Sequence, residues 1–391
     1  MPHIKFKPMS KDLLEEIVQR SPIVTFRADP LDGEDCLLGI EYEGEAFLLQ
    51  LKREKSVDML KYDKVTRPLN VNLIKKALAS LAESLNLEII GSNIALSSHK
   101  PPMASEYLKK IKDFESIEFP FESMAVEVGF GSGRHLLHQA KENPKRLYIG
   151  LEIHTPSAQQ VLRQIELQGL ENIWVVNYDA RLFLEMLPSN SCEQIFVHFP
   201  VPWDKKPHRR VISPDFTEES MRVLAPGGRL ELRTDSDKYF WYSLETFFAM
   251  PKVEVKIEKN KDLAVTSKYE ARWRRQEKDI YEVHVASREL SDAKLFDFDF
   301  SFRECRYQTG LEERLPTEAV VEEGYFFHFE RVYRIGEEGL LIKCAFGSFD
   351  RPEHKYIMID KEMCRYYVSA PVRTKVNQQA HQKIAEYFHV K

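Results

Sequence analysis

Glycines at alternate positions form the most distinctive motif of the chain. Gly129, Gly131 and Gly133 lie in the run A-V-E-V-G-F-G-S-G at 125–133, where a strand-like stretch meets a helix-like one. Glycine is favoured where the backbone turns sharply and a ligand must approach it closely. The third glycine comes one residue earlier than in a dinucleotide-binding turn, and the acidic Glu127 precedes the first. This variant favours S-adenosylmethionine as the ligand, although an ordinary tight strand–helix turn would show the same glycines.

Carboxylates end the next two strand-like runs. Glu152 closes Y-I-G-L-E, and Asp179 follows I-W-V-V-N-Y. An acid at the first position can accept hydrogen bonds from both ribose hydroxyls, and one at the second can accept from an adenine amine. Glu152 could equally be an exposed strand-end residue, and Asp179 a helix N-cap.

Basic residues mixed with aromatic ones occur in two stretches. The first, F-P-V-P-W-D-K-K-P-H-R-R at 199–210, contains Trp203, Arg209 and Arg210, and the second, S-K-Y-E-A-R-W-R-R at 267–275, contains Arg272. Cations neutralise phosphates and aromatic rings stack on exposed bases. A charge run alone is usually a solvated face, but two runs that each carry a tryptophan favour RNA. We expect Arg209, Arg210 and Arg272 to contact its backbone.

The elements that must position these residues alternate between strand and helix. Apolar runs at 124–129, 147–153, 173–178, 194–199 and 229–234 are separated by helical patterns at 133–142, 156–168, 180–187 and 214–224. This alternation predicts a doubly wound α/β domain with a parallel sheet and helices on both faces. Ligands bind such sheets at the carboxyl ends of the strands, where the glycines and carboxylates would meet.

Two further regions flank this predicted core of residues 121–287. Residues 1–120 contain a hairpin that turns near Glu43-Gly44 and a helical pattern at 71–87, which predicts an α+β domain. Residues 288–391 are rich in aromatics with short alternating runs, and they predict a small β-rich domain closed by a helix near 376–388.

Composition excludes several classes of protein. The 391 residues are 43% hydrophobic and carry a net charge of −5, so the chain is neither disordered nor uniformly basic. Its apolar runs are far shorter than the roughly 18 residues of a membrane span. The five cysteines form no C-x-x-C pair, and no histidine spacing suggests a metal site. We therefore expect a cytoplasmic protein with free thiols and no bound metal.

From Glu127 to Glu270 the chain resembles the bacterial tRNA (guanine-N7-)-methyltransferase family. The resemblance rests on E-V-G-F-G-S-G, I-G-L-E-I-H, the F-P-x-P-W-x-K-K-x-H-x-R loop, Thr234-Asp235 and S-K-Y-E at 267–270. It implies a seven-stranded Rossmann-like core with strand order 3-2-1-4-5-7-6, in which the seventh strand, near 280–286, is antiparallel. It also implies methyl transfer from S-adenosylmethionine to N7 of a guanine in the tRNA variable loop.

The resemblance also implies roles for individual residues. Glu127, Glu152 and Asp179 match the cofactor-binding acids of the family, beside the three glycines. The positions that match its substrate-contacting residues are Lys205, Asp235, Ser267, Lys268 and Glu270.

One position departs from the family pattern. Val201 lies between the two prolines where the family usually has an active-site aspartate, and the nearest carboxylate, Asp204, is the candidate replacement. Guanine N7 has a lone pair and no proton, so its methylation needs no general base, and we expect Val201 to tune the reaction. The alternative is a non-catalytic tRNA-binding protein on the same fold. Methylation of an exocyclic amine is disfavoured by Phe199, and a nicotinamide dehydrogenase by the glycine spacing.

Overall fold

The chain divides into two compact units. The computed structural model describes residues 2–68, 70–95, 105–115, 117–262, 276–286, 288–294, 298–349 and 351–389. The first unit comprises Met1–Lys100, Phe298–Pro371 and Lys375–Lys391, and the second comprises Pro101–Asp297 and Val372–Thr374. The N-terminal and C-terminal regions, which the sequence suggests are separate domains, thus belong to one unit.

The N-terminal part of the first unit is a sheet with one long helix. Its elements are β1 His3–Phe6, α1 Lys11–Glu15, α2 Ile17–Arg20, β2 Val24–Pro30, β3 Cys36–Tyr42, β4 Glu45–Arg53, β5 Asp58–Tyr62, α3 Val71–Ser84 and β6 Ile89–Ser92. The hairpin β3–β4 turns at Glu43-Gly44, as the sequence predicts. Asn70 caps α3 by accepting a hydrogen bond from the N–H of Asn72, and the apolar face of this helix packs on the sheet.

The second unit alternates strands and helices. Its elements are β7 Leu108–Lys109, β8 Met124–Val128, α4 Arg134–Glu142, β9 Leu147–Leu151, α5 Thr155–Gln168, β10 Ile173–Val176, α6 Ala180–Phe183, β11 Cys192–His198, α7 Pro214–Val223, β12 Leu224–Thr234, α8 Asp237–Phe248, β13 Glu254–Lys259 and β14 Tyr281–Ala286. Each of the five predicted core strands overlaps an observed strand. The helix predicted at 180–187 ends at Phe183 and continues as a 3₁₀ turn, Leu184–Met186.

Within the described residues the second unit forms one sheet of eight strands. Their order is β13-β14-β12-β11-β8-β9-β10-β7. Numbered from β8 and without β7, this order is 3-2-1-4-5-7-6, and β14 is antiparallel to both of its neighbours. The additional strand arises because Leu108 and Lys109 pair with Val175 and Val176 at the edge. The carboxyl ends of β8, β9, β10, β11 and β12 therefore lie along one edge of the sheet.

Helices pack on both faces of this sheet. Apolar residues of α4 and α5, such as Leu136 and Val161, form one core with Ala125 and Val175. Residues of α6, α7 and α8 form the other core. In the described part of the chain no helix has the length and apolar content needed to span a membrane.

The C-terminal part of the first unit extends its sheet. It consists of β15 Val320–Glu322, β16 Tyr325–Arg334, β17 Leu340–Gly347, β18 Glu353–Ile359, β19 Cys364–Tyr367 and α9 Lys375–Glu386. The end of β16 pairs with the end of β2, through Tyr333 with Pro30 and Arg334 with Asp29. This pairing joins the two flanking regions into an eleven-stranded sheet. All five cysteines are buried and none forms a disulfide.

Candidate active site

The glycine turn between β8 and α4 has the conformation its sequence requires. Gly129, Gly131 and Gly133 have φ angles of +70°, +53° and +72°, a region that residues with a Cβ rarely adopt. A Cβ on Gly133 would lie 2.3 Å from Cγ2 of Val161, so this glycine lets α4 pack closely on α5. A Cβ on Gly129 or Gly131 would meet nothing within 4 Å. The backbone is therefore open to a ligand at these two positions.

Glu152 lies beside the glycine turn at the end of β9. Its Oε2 accepts a hydrogen bond of 2.9 Å from the N–H of Gly131, and its Oε1 accepts one of 2.9 Å from the N–H of His154. Both donors are neutral backbone groups, which hold the carboxylate in place without pairing it with a cation. The structure thus brings Glu152 and the glycines together, as the sequence predicts.

Asp179 follows β10 and caps α6. Its side chain accepts a hydrogen bond from the N–H of Arg181 and forms an ion pair of 2.7 Å with the guanidinium of the same residue. The N-cap interpretation of this residue is therefore confirmed. The carboxylate remains about 38% exposed, so it is also accessible to a ligand.

Glu127 is engaged differently from the other two acids. It is 4% exposed, and its Oε2 lies 2.9 Å from Nδ1 of His135 in the first turn of α4. Burial lowers the pKa of His135, but the Glu127 carboxylate outweighs burial and holds that pKa above its usual value. The carboxylate of the predicted cofactor acid is thus already engaged by His135.

This pair adjoins a polar network that is not evident from the sequence, because the ring centres of His135 and His198 lie 4.6 Å apart. Nε2 of His198 lies 3.0 Å from Glu231, and Arg233 pairs with Glu282, whose Oε1 also lies 2.6 Å from Nε2 of His284. These residues line one face of β11, β12 and β14, where a cavity of about 760 Å³ opens beside α4. Polar residues at every second position, as in L-E-L-R-T and Y-E-V-H-V, were the available signal.

Two cationic side chains already balance the charge of the acids in this network. Ligand atoms of Glu231, Glu282 and His284 lie within 4.8 Å of one another, close enough to share a metal ion. Nζ of Lys261, however, lies 2.8 Å from Oε1 of Glu282, and Arg233 pairs with the same carboxylate. A divalent ion would have to displace one of these groups.

The proline–tryptophan loop follows β11, and a buried arginine at its end stabilises it. Arg210 is buried, its Nε donates a hydrogen bond of 2.8 Å to the carbonyl of Pro202, and its guanidinium lies 4.3 Å from the centre of the Tyr242 ring. The prediction that Arg210 contacts the RNA backbone is therefore unsupported, because its donors are turned into the protein. Val201, by contrast, is 59% exposed on this loop.

The remaining predicted residues fall into three groups. Lys205 and Arg209 are exposed, and the guanidinium of Arg209 lies 5.1 Å from the centre of the Trp203 ring. Asp204 is half-exposed and 3.6 Å from Arg210, and Asp235 accepts a hydrogen bond of 2.7 Å from Nζ of Lys278. Four predicted residues lie outside the described residues: Ser267, Lys268, Glu270 and Arg272.

Comparison with known proteins extends over almost the whole chain. Residues 122–283 match a family described as "Putative methyltransferase". A tRNA (guanine-N(7)-)-methyltransferase of Wolinella succinogenes is 43% identical over 361 residues, 92% of each chain. One of Helicobacter pylori is 37% identical over 390 residues, 97% of each chain. A solved structure described as an antibiotic-related methyltransferase matches 46% of this chain and 98% of its own, with 17% identity and a TM-score of 0.34.

The relatives carry flanking regions of similar extent, because the matches cover more than nine-tenths of both chains. The identity is therefore not confined to the glycine turn and the proline–tryptophan loop. The chain belongs to the tRNA (guanine-N(7)-)-methyltransferase family.

Proposed function

We propose that this protein transfers a methyl group from S-adenosylmethionine to N7 of a guanine in the variable loop of tRNA. The observation that carries the proposal is the glycine turn with Glu152 beside it, in a chain 43% identical to a relative of that name. The seven strands β8 to β14 would be the methyltransferase core. A cytoplasmic location fits this substrate and the free thiols.

The residues at the edge of the sheet fit such a cofactor. We infer that Gly129 and Gly131 face its methionine part, because only there does the turn leave room beside the backbone. Glu152 would accept from the ribose hydroxyls, and Asp179 from the adenine amine. When bound, S-adenosylmethionine supplies a methyl group on a sulfonium, which is an electrophile without further activation. Glu127 would influence the cofactor through its charge without a direct hydrogen bond, because His135 already engages its carboxylate.

The protein's contribution to the reaction would be mainly positioning. Guanine N7 offers an in-plane lone pair and carries no proton, so no side chain has to remove one. The rate then depends on holding N7 in line with the methyl group at about 3–3.5 Å. Carboxylates near the base would stabilise the positive charge it gains, and Asp204, Asp235 and Glu270 are the candidates. Lys205 and Arg209, both exposed, would contact the tRNA near the reacting base.

Methyl transfer to unmodified tRNA transcripts tests this proposal directly. We expect label from S-adenosylmethionine to appear at a variable-loop guanine, mapped by chain cleavage at N7-methylguanine. A transcript with adenine in place of that guanine is the matched control and should take up no label. Label at another nucleotide would contradict the substrate assignment. Binding of cofactor and tRNA without transfer would favour the non-catalytic tRNA-binding protein.

A further inference from the structure

One face of the sheet in the first unit carries a basic surface. β4, β5 and β1 are adjacent antiparallel strands there. Ile4, Leu60 and Leu51 point to the face that is packed under α3. Side chains alternate between the faces of a sheet, so their sequence neighbours point to the opposite face. The residues on that opposite face are His3, Lys5, Gln50, Lys52, Met59 and Lys61.

The strand register gathers three lysines around one methionine. Lys5 and Lys52 are each directly opposite Met59, one on either side. Lys61 lies two residues beyond Met59 on the same strand and is therefore diagonal to both. Directly opposite Cβ atoms are about 5 Å apart and diagonal neighbours about 7–8 Å. Three ammonium groups thus project from a single small area of the sheet, which we call the lysine face (Lys5, Lys52 and Lys61).

Carboxylates balance this charge only in part. Lys52 lies 3.9 Å from Asp35, whereas neither Lys5 nor Lys61 forms a hydrogen bond or ion pair with any residue that the structure describes. Asp58, the acid of β5, is buried on the other face, where it accepts from the N–H of Met9. Burial lowers the pKa of Lys61 and the charge of Lys52 lowers it further, and these two effects outweigh the opposing influence of Asp35 and Asp63. A ligand with several negative charges would relieve this repulsion.

We propose that the lysine face binds the sugar–phosphate backbone of tRNA. The inference rests on the proposed function, which supplies the RNA, and it adds a contact surface outside the methyltransferase core. Lysines suit phosphates, whose contacts position a nucleic acid without reading its sequence. Among the residues named on this face only His3 has an aromatic ring, and it is partly buried, so we expect the surface to add affinity and orientation without choosing a sequence.

Two matched triple variants test the proposal in the full-length protein. K5Q/K52Q/K61Q removes the lysine face, and K7Q/K75Q/K76Q removes the same net charge elsewhere in the first unit. The control lysines have local partners: Lys7 pairs with Glu88, Lys76 pairs with Glu43, and Lys75 bonds to the carbonyl of Ala95. Binding of one tRNA transcript would be measured from 50 to 300 mM salt.

We expect the first variant to bind tRNA at least tenfold more weakly at low salt. Its plot of log affinity against log salt should become shallower by about 3, since each of the three lost phosphate contacts removes nearly one unit of slope. The control variant should keep the wild-type slope. In methyl transfer, the KM for tRNA should rise while kcat at saturating tRNA stays within twofold. Equal slopes in the two triple variants would overturn the proposal.

The two proposals can fail separately. If the wild type methylates tRNA and K5Q/K52Q/K61Q binds it normally, the lysine face is wrong and the function stands. If the wild type transfers no methyl group but the triple variant still loses tRNA affinity, the function is wrong and the surface stands. Should the triple variant not fold, K5Q alone changes one exposed side chain and should reduce the slope by about 1.

Discussion

Two glutamates of the core sheet are stabilised in opposite ways. Within the described part of the chain, the side chain of Glu152, at the carboxyl end of β9, accepts hydrogen bonds from the backbone N–H groups of Gly131 and His154 alone. Glu282, on β14, is 1% exposed and is contacted by Arg233 and Lys261. Neutral donors hold a carboxylate in place without cancelling its charge, whereas cations cancel it. The first arrangement leaves an acid available to a ligand, and the second contributes to the fold.

The polar network around Glu282 depends on several such compensations. Burial raises the pKa of Glu231, but His198 and the other nearby histidines outweigh burial and bring that pKa to about 2. Burial lowers the pKa of His198 itself, against the opposing influence of its hydrogen bond to Glu231. Each charged group of the network thus has an oppositely charged or hydrogen-bonding partner. Removing one of these groups should therefore lower the free energy of unfolding more than removing Glu152 at the carboxyl edge of the sheet.

Removal of Arg233 should have the largest effect on stability. R233M leaves Glu282 buried with only part of its compensation, and we expect the free energy of unfolding to fall by about 3 kcal/mol, as for other broken buried pairs. Urea denaturation measures the change. R233M/E282L removes both charges and should recover most of the loss. A loss below about 1 kcal/mol for R233M would show that Lys261 alone compensates Glu282.

Removal of the Glu152 carboxylate should affect ligand binding and leave folding nearly unchanged. For E152A we expect the affinity for S-adenosylmethionine to fall about 10- to 100-fold, because hydrogen bonds to a charged group contribute about 1.5–3 kcal/mol. Titration calorimetry measures it. E166A, which changes an exposed glutamate of α5, is the matched control. Equal affinities for the two variants would remove Glu152 from the cofactor site.

The Glu127–His135 pair predicts a pH dependence of stability. Because Glu127 holds the pKa of His135 above its usual value, the pair contributes fully below the pKa of an unfolded histidine, about 6.5. Its contribution should disappear as the pH rises through the higher pKa of the folded state. The wild type should therefore lose more stability than H135Q between pH 6 and pH 9, in denaturation at each pH. Parallel profiles for the two proteins would contradict the pairing.

Adjacent arginines of the proline–tryptophan loop should behave differently. Arg209 is exposed over Trp203, and Arg210 is buried against Tyr242. R209Q should reduce the slope of tRNA affinity against salt by about 1 and leave stability unchanged. R210Q should keep that slope and lower the melting temperature, because the carbonyl of Pro202 loses its donor. A reduced slope of tRNA affinity against salt for R210Q would instead support the contact between Arg210 and the RNA backbone that the sequence predicts.

Much of the fold followed from the sequence because its signals are local. The alternation of strand and helix located β8 to β12, and the glycines marked the turn before α4. A run of charged residues does not show which arginine is buried. The sequence therefore predicts an RNA contact for Arg210 as well as for Arg209, although only Arg209 is exposed. The pairing of β2 with β16 joins residues about 300 positions apart, so no local pattern reports it. The sequence predicts a cofactor role for Glu127, but the contact between Glu127 and His135 depends on how α4 packs on the sheet.

Substitution of Val201 should have the smallest effect. V201D restores the acid usual in the family at a position 59% exposed, where the new charge remains hydrated and stability should not change. If catalysis rests on positioning N7, the rate of methyl transfer should change by less than about tenfold. V201N supplies a side chain of the same shape without the charge, so it separates the effect of the charge from the effect of side-chain shape. A rise of 100-fold or more for V201D, absent in V201N, would mean that an unpaired carboxylate on this loop accelerates the reaction and that positioning alone does not account for catalysis.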